Sequence, residues 1–352
     1  MIKNFLKNHS IHKDIVKYFD FLFLFNLPYF FILFMLFTWG MSASYYSKDI
    51  EEGYYFLLSF SFIDCLFFVS LFLFLSFINI KIQIDNLLIL DWHSKDGKYK
   101  VNLNYLYVCP NFISIKKVNS IFTIRLILLS LLPITYISPY LSPILILYYI
   151  LITSFNKQLL KTDSYSIFIL RCLFKLLCFY LIFLSGWVYC IPLWPVSNIF
   201  AFELLPILKY IPFFCLAVLP IIFINEVVFV NKFSNQESKN RLIIENNKNK
   251  IALLSLIMML SLFFISFNIN DPILTHFSII AIPFLIYSFI RSENKDFIRA
   301  YTYPVMVMNI LISWTLYPFL LIVQFLIYYL SKYYYWHRFN IHFPKFVIEE
   351  NE

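Results

Sequence analysis

Charge is scarce in this chain. Only 14% of its 352 residues are charged and 61% are hydrophobic, whereas soluble domains carry about 25% charged residues. This composition excludes a soluble globular protein, a disordered chain and a nucleic-acid-binding module. Glycine is also scarce, at four residues, which excludes fibrous repeats. The long apolar runs that remain are typical of a polytopic membrane protein, because a helix satisfies its own backbone hydrogen bonds in lipid.

Cysteine motifs and a secretion signal are missing as well. The six cysteines include no C-x-x-C pair, so the sequence holds no zinc signature and no disulfide framework. The N-terminal segment, 1–18, carries spread lysines, and no small-residue cleavage site follows the first apolar run. That pattern argues against a signal peptide, so we expect the first apolar run to remain as a membrane span.

Nine apolar segments are long enough for transmembrane helices, which need roughly 17–25 residues. The predicted fold class is therefore all-α, a polytopic integral membrane helix bundle that forms a single membrane domain over 1–352. A C-terminal tail, 331–352, follows the last span. We place the spans near 21–41, 55–80, 118–137, 139–156, 167–190, 207–229, 251–268, 272–290 and 303–330.

The distribution of basic residues predicts the orientation. Loops on the N-terminal side of the nine spans contain 20 of the 28 lysines and arginines, and the opposite side contains five. Because basic residues accumulate on the cytoplasmic side, we expect segment 1–18 to be cytoplasmic and tail 331–352 to be external. The expected location is a bacterial inner membrane. The net charge of +8 is then explained by the membrane orientation and is not evidence for an anionic partner.

Two long polar loops, 81–117 and 231–250, follow spans two and six on the predicted cytoplasmic side. The first begins as the continuation of an apolar helix and contains Asp85, Asp91 and Asp96. Ionisable residues that gather at a span end are the usual markers of a functional site in a membrane bundle. We therefore expect the chemistry at this face.

These loops give the chain a resemblance to the UbiA superfamily of membrane prenyltransferases, whose members have nine spans and a cytoplasmic N-terminus. The family carries Asp-rich motifs after spans two and six. Residues 91–98, continuing to 111–117, are similar to the first motif, and 154–161 is similar to the short loop between spans four and five. Asn225 and Glu226 stand nearest to the second motif.

The resemblance implies transfer of a prenyl group from a prenyl diphosphate donor to a lipophilic acceptor at the cytoplasmic face. It implies that carboxylates hold Mg²⁺ and that basic residues hold the diphosphate, because the leaving group must be neutralised as its bond breaks. The residues implied for the metal are Asp85, Asp91, Asp96 and Glu226, and those implied for the diphosphate are Lys98 and Lys161.

The spacing of the aspartates sets a condition on that metal site. Asp91 and Asp96 are five residues apart, which leaves their side chains about 140° apart around an ideal helix. The pair can share one ion only where the helix breaks before Gly97. Aspartate is absent from 225–250, so Glu226 is the carboxylate expected on the opposite side of the site.

Four further charges lie within spans. Arg171 and Lys175 are one turn apart on one face of span five, where they either contact a phosphate or extend towards the cytoplasmic surface. Asp64 falls in the middle of span two, where a carboxylate in lipid must face the interior. We expect Arg125 in span three to be its structural partner.

Two other classes of function stay open. The chain could be a non-catalytic membrane partner of the same fold, which the missing aspartates of the second motif favour. It could also be a transporter, a polysaccharide polymerase or a flippase, which are polytopic and aromatic-rich as well. A transporter would be expected to show broken helices or inverted repeats.

Overall fold

The computed structural model describes residues 27–48, 61–93, 102–103, 106–107, 120–159, 165–190, 204–233 and 239–339. Within these ranges the chain is helical apart from one antiparallel ladder, in which β1 (Asn102–Leu103) pairs with β2 (Leu106–Tyr107). The described helices are α1 (Leu27–Lys48), α2 (Phe62–His93), α3 (Ser120–Ile137), α4 (Leu141–Leu159), α5 (Tyr165–Tyr189), α6 (Leu204–Phe233), α7 (Lys239–Asn268), α8 (Pro272–Arg291), α9 (Asn294–Leu316) and α10 (Pro318–Phe339).

Five of the described helices are long and apolar enough to cross a membrane. Shorter apolar stretches lie in α1, α3, α4 and α10. A protein with several such helices is a membrane-embedded, multi-pass helical protein, so the coarse fold prediction is confirmed. The five candidate spans are Phe62–Ile82 of α2, Ile169–Tyr189 of α5, Ile207–Val227 of α6, Asn246–Asn268 of α7 and Pro272–Arg291 of α8.

The predicted ninth span is wrong as a single helix. It was placed over 303–330, but α9 ends at Leu316 and α10 begins at Pro318. Tyr317 between them has φ −140° and ψ 83°, outside the helical region. The residue before a proline is disfavoured in the α conformation, and proline suits the first position of a new helix. Residues 331–339 of the expected tail continue α10.

The chain divides into two compact units, each of which is described by itself. The first contains 59–142 and 319–352 with the N-terminal residues, and the second contains 32–58 and 143–318. In the first unit α2 packs against α3. In the second, α6 packs against α5, α7 and α9, and α8 packs against α7 and α9. A single membrane domain over 1–352 stays a prediction.

Two glycines bring α1 and α5 into close contact within the second unit. A Cβ atom at Gly40 would collide with the backbone carbonyl of Phe183, and one at Gly186 would collide with the carbonyl of Phe37. Small residues allow this kind of approach between membrane helices, where van der Waals packing drives association. Trp39 of α1 also stacks on Phe214 of α6, with ring centroids 5.5 Å apart. These contacts fix α5 and α6, the helices that carry the site described below.

The link between α7 and α8 follows the sequence closely. The two helices are joined by a tight turn in which Asn270 has φ 56°. Asp271 caps α8 by accepting a hydrogen bond from the Leu274 backbone N–H at 3.0 Å, and Pro272 occupies the first turn. An aspartate cap followed by proline is a strong start signal for a helix, because the cap satisfies an otherwise unpaired donor.

Candidate functional site

A buried carboxylate joins α5 and α6. Glu226 lies near the end of α6, next to the last residue of the candidate span Ile207–Val227, and its side chain has no exposed surface. An ionised carboxylate in such a place requires cationic partners, because burial removes its hydration. Both partners come from the beginning of α5, so the start of one span meets the end of the next.

The partners are Arg171 and Lys175. The Lys175 ammonium donates a hydrogen bond to Oε1 of Glu226. The Nε atom of Arg171 lies 3.6 Å from Oε2 of Glu226. The arginine side chain is 16% exposed and the lysine side chain is 30% exposed. The two cations and the carboxylate are hereafter called the ionic triad.

The two cations face the inside of the bundle and not the lipid. Leu173 and Leu177 are exposed on α5, and each follows one of the cations by two residues. Two residues turn an α-helix by about 200°, so the exposed leucines lie on the opposite face from Arg171 and Lys175. Lysines and arginines that only extend to the membrane surface need no partner inside the protein. The contact with Glu226 argues against simple extension to the surface, and contact with a phosphate stays a prediction.

The ionic triad carries more positive than negative charge. Among the described residues two cations contact this one carboxylate, so these three groups alone, when ionised, have a net charge of +1. Within the described residues, neither Nε of Arg171 nor Oε2 of Glu226 has a hydrogen-bond partner. Desolvating each ion costs several kcal/mol, and a pair repays this only where the remaining donors and acceptors are also satisfied. The triad therefore has unused capacity for an additional anionic group.

A magnesium ion does not fit the surroundings of Glu226. Mg²⁺ prefers a cluster of oxygen ligands dominated by carboxylates and water, whereas this carboxylate already contacts two cations. The neighbouring Asn225 has a buried Oδ1 without a hydrogen-bond partner among the described residues, but one amide oxygen does not offset the two positive charges. The described part of the chain contains no group of three or more His, Cys, Asp or Glu that could hold a metal ion.

The other predicted site residues are only partly described. Asp85 and Asp91 lie in the last turns of α2, and the described helix ends at His93, before Gly97. Their side chains lie outside the described residues, as do Asp96, Lys98 and Lys161 in full. A magnesium site among the three aspartates, and diphosphate binding by Lys98 and Lys161, stay predictions. Of the predicted residues, Glu226 is the one that the structure places in a defined environment.

The expected position of Asp64 in the middle of span two is wrong. It lies in the first turn of α2 and not in the middle of a span, because that helix begins at Phe62. Its carboxylate accepts hydrogen bonds from the backbone N–H and the hydroxyl of Ser61, at 2.9 Å and 2.7 Å. The Asp64 N–H in turn donates to the Ser61 hydroxyl. This reciprocal arrangement is a capping box, which satisfies the unpaired donors of a helix start.

A second charged cluster joins α8 to α9 and was missed by the sequence reasoning. Asp296 in the first turn of α9 is only 3% exposed, and Arg291 and Arg299 each approach its carboxylate to 3.5 Å. Glu293 pairs with Lys295 at 2.6 Å. The signal in the sequence was the spacing of three residues between Asp296 and Arg299, which brings side chains together on a helix.

This cluster is also hydrogen-bonded to α7. The hydroxyl of Ser292 donates a hydrogen bond to the side chain of Asn249, and Ser292 has a left-handed backbone with φ 55°. The hydrogen bond from Lys295 holds the pKa of the Glu293 carboxyl below its usual value, with Arg291 contributing to the same effect. These contacts rigidify the corner, and each cation there already has a carboxylate partner.

No protein-family model, no curated protein and no solved structure matches this chain.

Proposed function

We propose that this protein binds a prenyl diphosphate and transfers its prenyl group to a lipophilic acceptor at the cytoplasmic face of the membrane, as an intramembrane enzyme with a UbiA-like fold. The observation that carries the proposal is the inward-facing pair of cations, Arg171 and Lys175, with one buried carboxylate between them. Isolated charges inside a membrane bundle are costly, and they mark pathways or binding sites for charged ligands.

The chemistry explains why cations are needed. In prenyl transfer the bond between the allylic carbon and the diphosphate oxygen breaks, and the diphosphate leaves with the bonding electrons. The acceptor then bonds to the allylic carbon and loses a proton. Arg171 and Lys175 would neutralise the charge that develops on the leaving group, in a site where the low dielectric strengthens the attraction. An arginine also offers a planar fork of donors that matches phosphate oxygens.

The proposed role of Arg171 and Lys175 does not depend on a metal ion. Mg²⁺ would supply further neutralisation of the diphosphate, and Asp85, Asp91 and Asp96 are the residues that the family resemblance suggests for it. The surroundings of Glu226 do not suit a metal ion. The cytoplasmic N-terminus, the external tail and the bacterial inner membrane belong to the same proposal and are supported by the distribution of basic residues.

A turnover assay tests the proposal. The purified protein in detergent is incubated with prenyl diphosphates of several chain lengths and a membrane lipid extract, and the release of inorganic diphosphate is measured with and without Mg²⁺. We expect release that falls at least tenfold in Lys175→Gln. The matched control is Lys209→Gln, because Lys209 is exposed on α6, 17 residues from Glu226 along the same helix. An absence of diphosphate release with every donor would contradict the catalytic proposal.

One observation favours a second candidate, a transporter or flippase for a lipid-linked phosphate compound. The backbone leaves the helical region at Tyr317, between α9 and α10, and interrupted helices are a feature of many transporters. In this case the ionic triad would bind a headgroup without breaking a bond. Movement of a labelled prenyl phosphate lipid across proteoliposome membranes, with no diphosphate release, would decide for this candidate. If neither activity is found, the non-catalytic alternative gains support.

A further inference from the structure

We infer that Glu226 is the internal counter-ion of an anion-binding site formed by Arg171 and Lys175, and that a diphosphate displaces it on binding. This inference rests on the proposed diphosphate binding and assigns Glu226 a role opposite to that of a metal ligand. In the metal role the carboxylate would help to bind the donor. In the counter-ion role it competes with the donor for the same two cations.

The geometry of the carboxylate supports the counter-ion role. Oε1 of Glu226 accepts a hydrogen bond from Lys175, and Oε2 faces Arg171 at 3.6 Å. Both oxygens are thus directed at cations. A magnesium ion at either oxygen would be repelled by an adjacent positive charge, and Mg²⁺ requires near-octahedral oxygen coordination.

The contact with Arg171 is incomplete. A distance of 3.6 Å exceeds the usual range of about 2.7–3.2 Å for an N–H···O hydrogen bond. Nε of Arg171 is buried and has no hydrogen-bond partner within the described residues. A single carboxylate therefore does not saturate the donors that the arginine presents to the interior.

A diphosphate is a better match for these donors than the carboxylate is. It carries more negative charge and more acceptor oxygens, and charge-assisted bonds from arginine to phosphate are among the stronger ones in proteins. Arg171 and Lys175 are partly exposed, whereas the Glu226 carboxylate between them is fully buried. The exposed parts of the two cations are therefore accessible to a ligand. Exchange of the counter-ion thus requires only that the ligand reaches the exposed side of the two cations.

The two roles predict opposite changes in diphosphate affinity for one substitution, Glu226→Gln. Glu226→Gln keeps the shape and a hydrogen-bond acceptor for Lys175 but removes the competing charge. As a counter-ion, Glu226 lowers affinity for the diphosphate, so the variant should bind about tenfold more tightly, since one charge at close range is worth at least this much in a partly buried site. As a metal ligand, Glu226 raises affinity in the presence of Mg²⁺, so the same variant should bind more weakly.

The experiment is a binding titration of the detergent-purified full chain with two probes, inorganic pyrophosphate and geranylgeranyl diphosphate, each in Mg²⁺ and in EDTA. The proteins are the wild type, Glu226→Gln, Lys175→Gln and the double variant. Glu293→Gln is the matched control, because it removes an exposed carboxylate from another paired cluster. Glu226→Asp, which retains the charge on a shorter side chain, replaces Glu226→Gln if the latter does not give a monodisperse protein.

Tighter binding of both probes to Glu226→Gln in EDTA, lost again in the double variant, is the expected result. Glu226→Asp should show a smaller gain of the same sign. Unchanged or weaker binding to Glu226→Gln, with binding to the wild type intact, overturns the counter-ion inference and leaves the proposed function standing. Failure of both probes to bind the wild type and every variant overturns the proposed function as well. A gain for geranylgeranyl diphosphate alone identifies a lipid headgroup and not free diphosphate as the ligand.

Discussion

Arg171 on α5 and Glu226 on α6 form an ion pair at 3.6 Å that is not a hydrogen bond. Lys175, one turn along α5, donates a hydrogen bond to the other oxygen of the same carboxylate. Glu226 has no exposed surface, whereas the Arg171 side chain is 16% exposed. These contacts indicate an anion-binding site in which Glu226 satisfies only part of the hydrogen-bonding capacity of the two cations.

The stability of the chain should depend on Lys175. Replacing it with methionine keeps the apolar part of the side chain and leaves the buried Glu226 with only the long contact to Arg171. We expect a loss of about 3 kcal/mol in the free energy of unfolding, the lower end of the range for breaking a buried ion pair, because the arginine remains. Denaturant unfolding in detergent measures it. Lys209→Met is the matched control, and an equal effect in both variants would contradict a buried pair.

Any side chain at Gly40 or Gly186 should destabilise the contact between α1 and α5. Gly40→Ala and Gly186→Ala each place a methyl group against a backbone carbonyl of the other helix. Backbone atoms cannot move aside as a flexible side chain can, so each variant should lose about 1–3 kcal/mol, as overpacked sites do. Thermal unfolding in detergent tests this. Leu173→Ala, on the exposed face of α5, should be close to neutral, and a similar neutrality at both glycines would show that the helices are further apart.

The start of α8 should depend on its cap. Asp271→Ala removes the acceptor for the Leu274 N–H and should cost about 1 kcal/mol, the usual value for losing an N-cap. Asp271→Asn should retain most of the stability, since asparagine caps helices about as well as aspartate. Comparison of the two variants by thermal unfolding is the measurement. Equal losses in both variants would mean that the charge of Asp271, and not the cap, stabilises this turn.

The stability that Glu293 contributes at the corner between α8 and α9 should decrease at low pH. The Lys295 hydrogen bond lowers the pKa of this carboxyl in the folded protein, so the ionised form stabilises the fold. That contribution is present above the ordinary pKa of glutamate, about 4.3, and disappears as the pH falls through the lower folded value. The difference in unfolding temperature between the wild type and Glu293→Gln should therefore shrink on acidification. A difference that stays constant with pH would exclude this linkage.

Most of the helices could be predicted because they follow from long apolar runs. The turn between α7 and α8 could also be predicted, since Asp271-Pro272 is a local capping signal. The break at Tyr317 could have been predicted from Pro318, but average hydropathy continues across the proline and suggested one span. Asp64 was misplaced for the same reason, because an apolar run was extended upstream over the capping box that begins α2.

The site was predictable only in part. A carboxylate inside the apolar end of span six requires a partner, and the sequence placed Arg171 and Lys175 on one face of span five, where they either contact a phosphate or extend towards the surface. It could not join them, because Lys175 and Glu226 are 51 residues apart and the pairing depends on how α5 packs against α6. The family resemblance drew attention to Glu226 as a metal ligand, whereas the structure surrounds it with cations.

The most direct test of the account asks whether the two inward cations bind a diphosphate. The thermal unfolding temperature of the purified protein is measured in EDTA with geranylgeranyl diphosphate and with geranylgeraniol, which has the same tail and no charge. We expect the diphosphate to raise the unfolding temperature, the alcohol to have little effect, and the rise to be lost in Lys175→Gln but kept in Lys209→Gln. Equal effects of diphosphate and alcohol, or a rise that persists in Lys175→Gln, would contradict an anion site at Arg171 and Lys175.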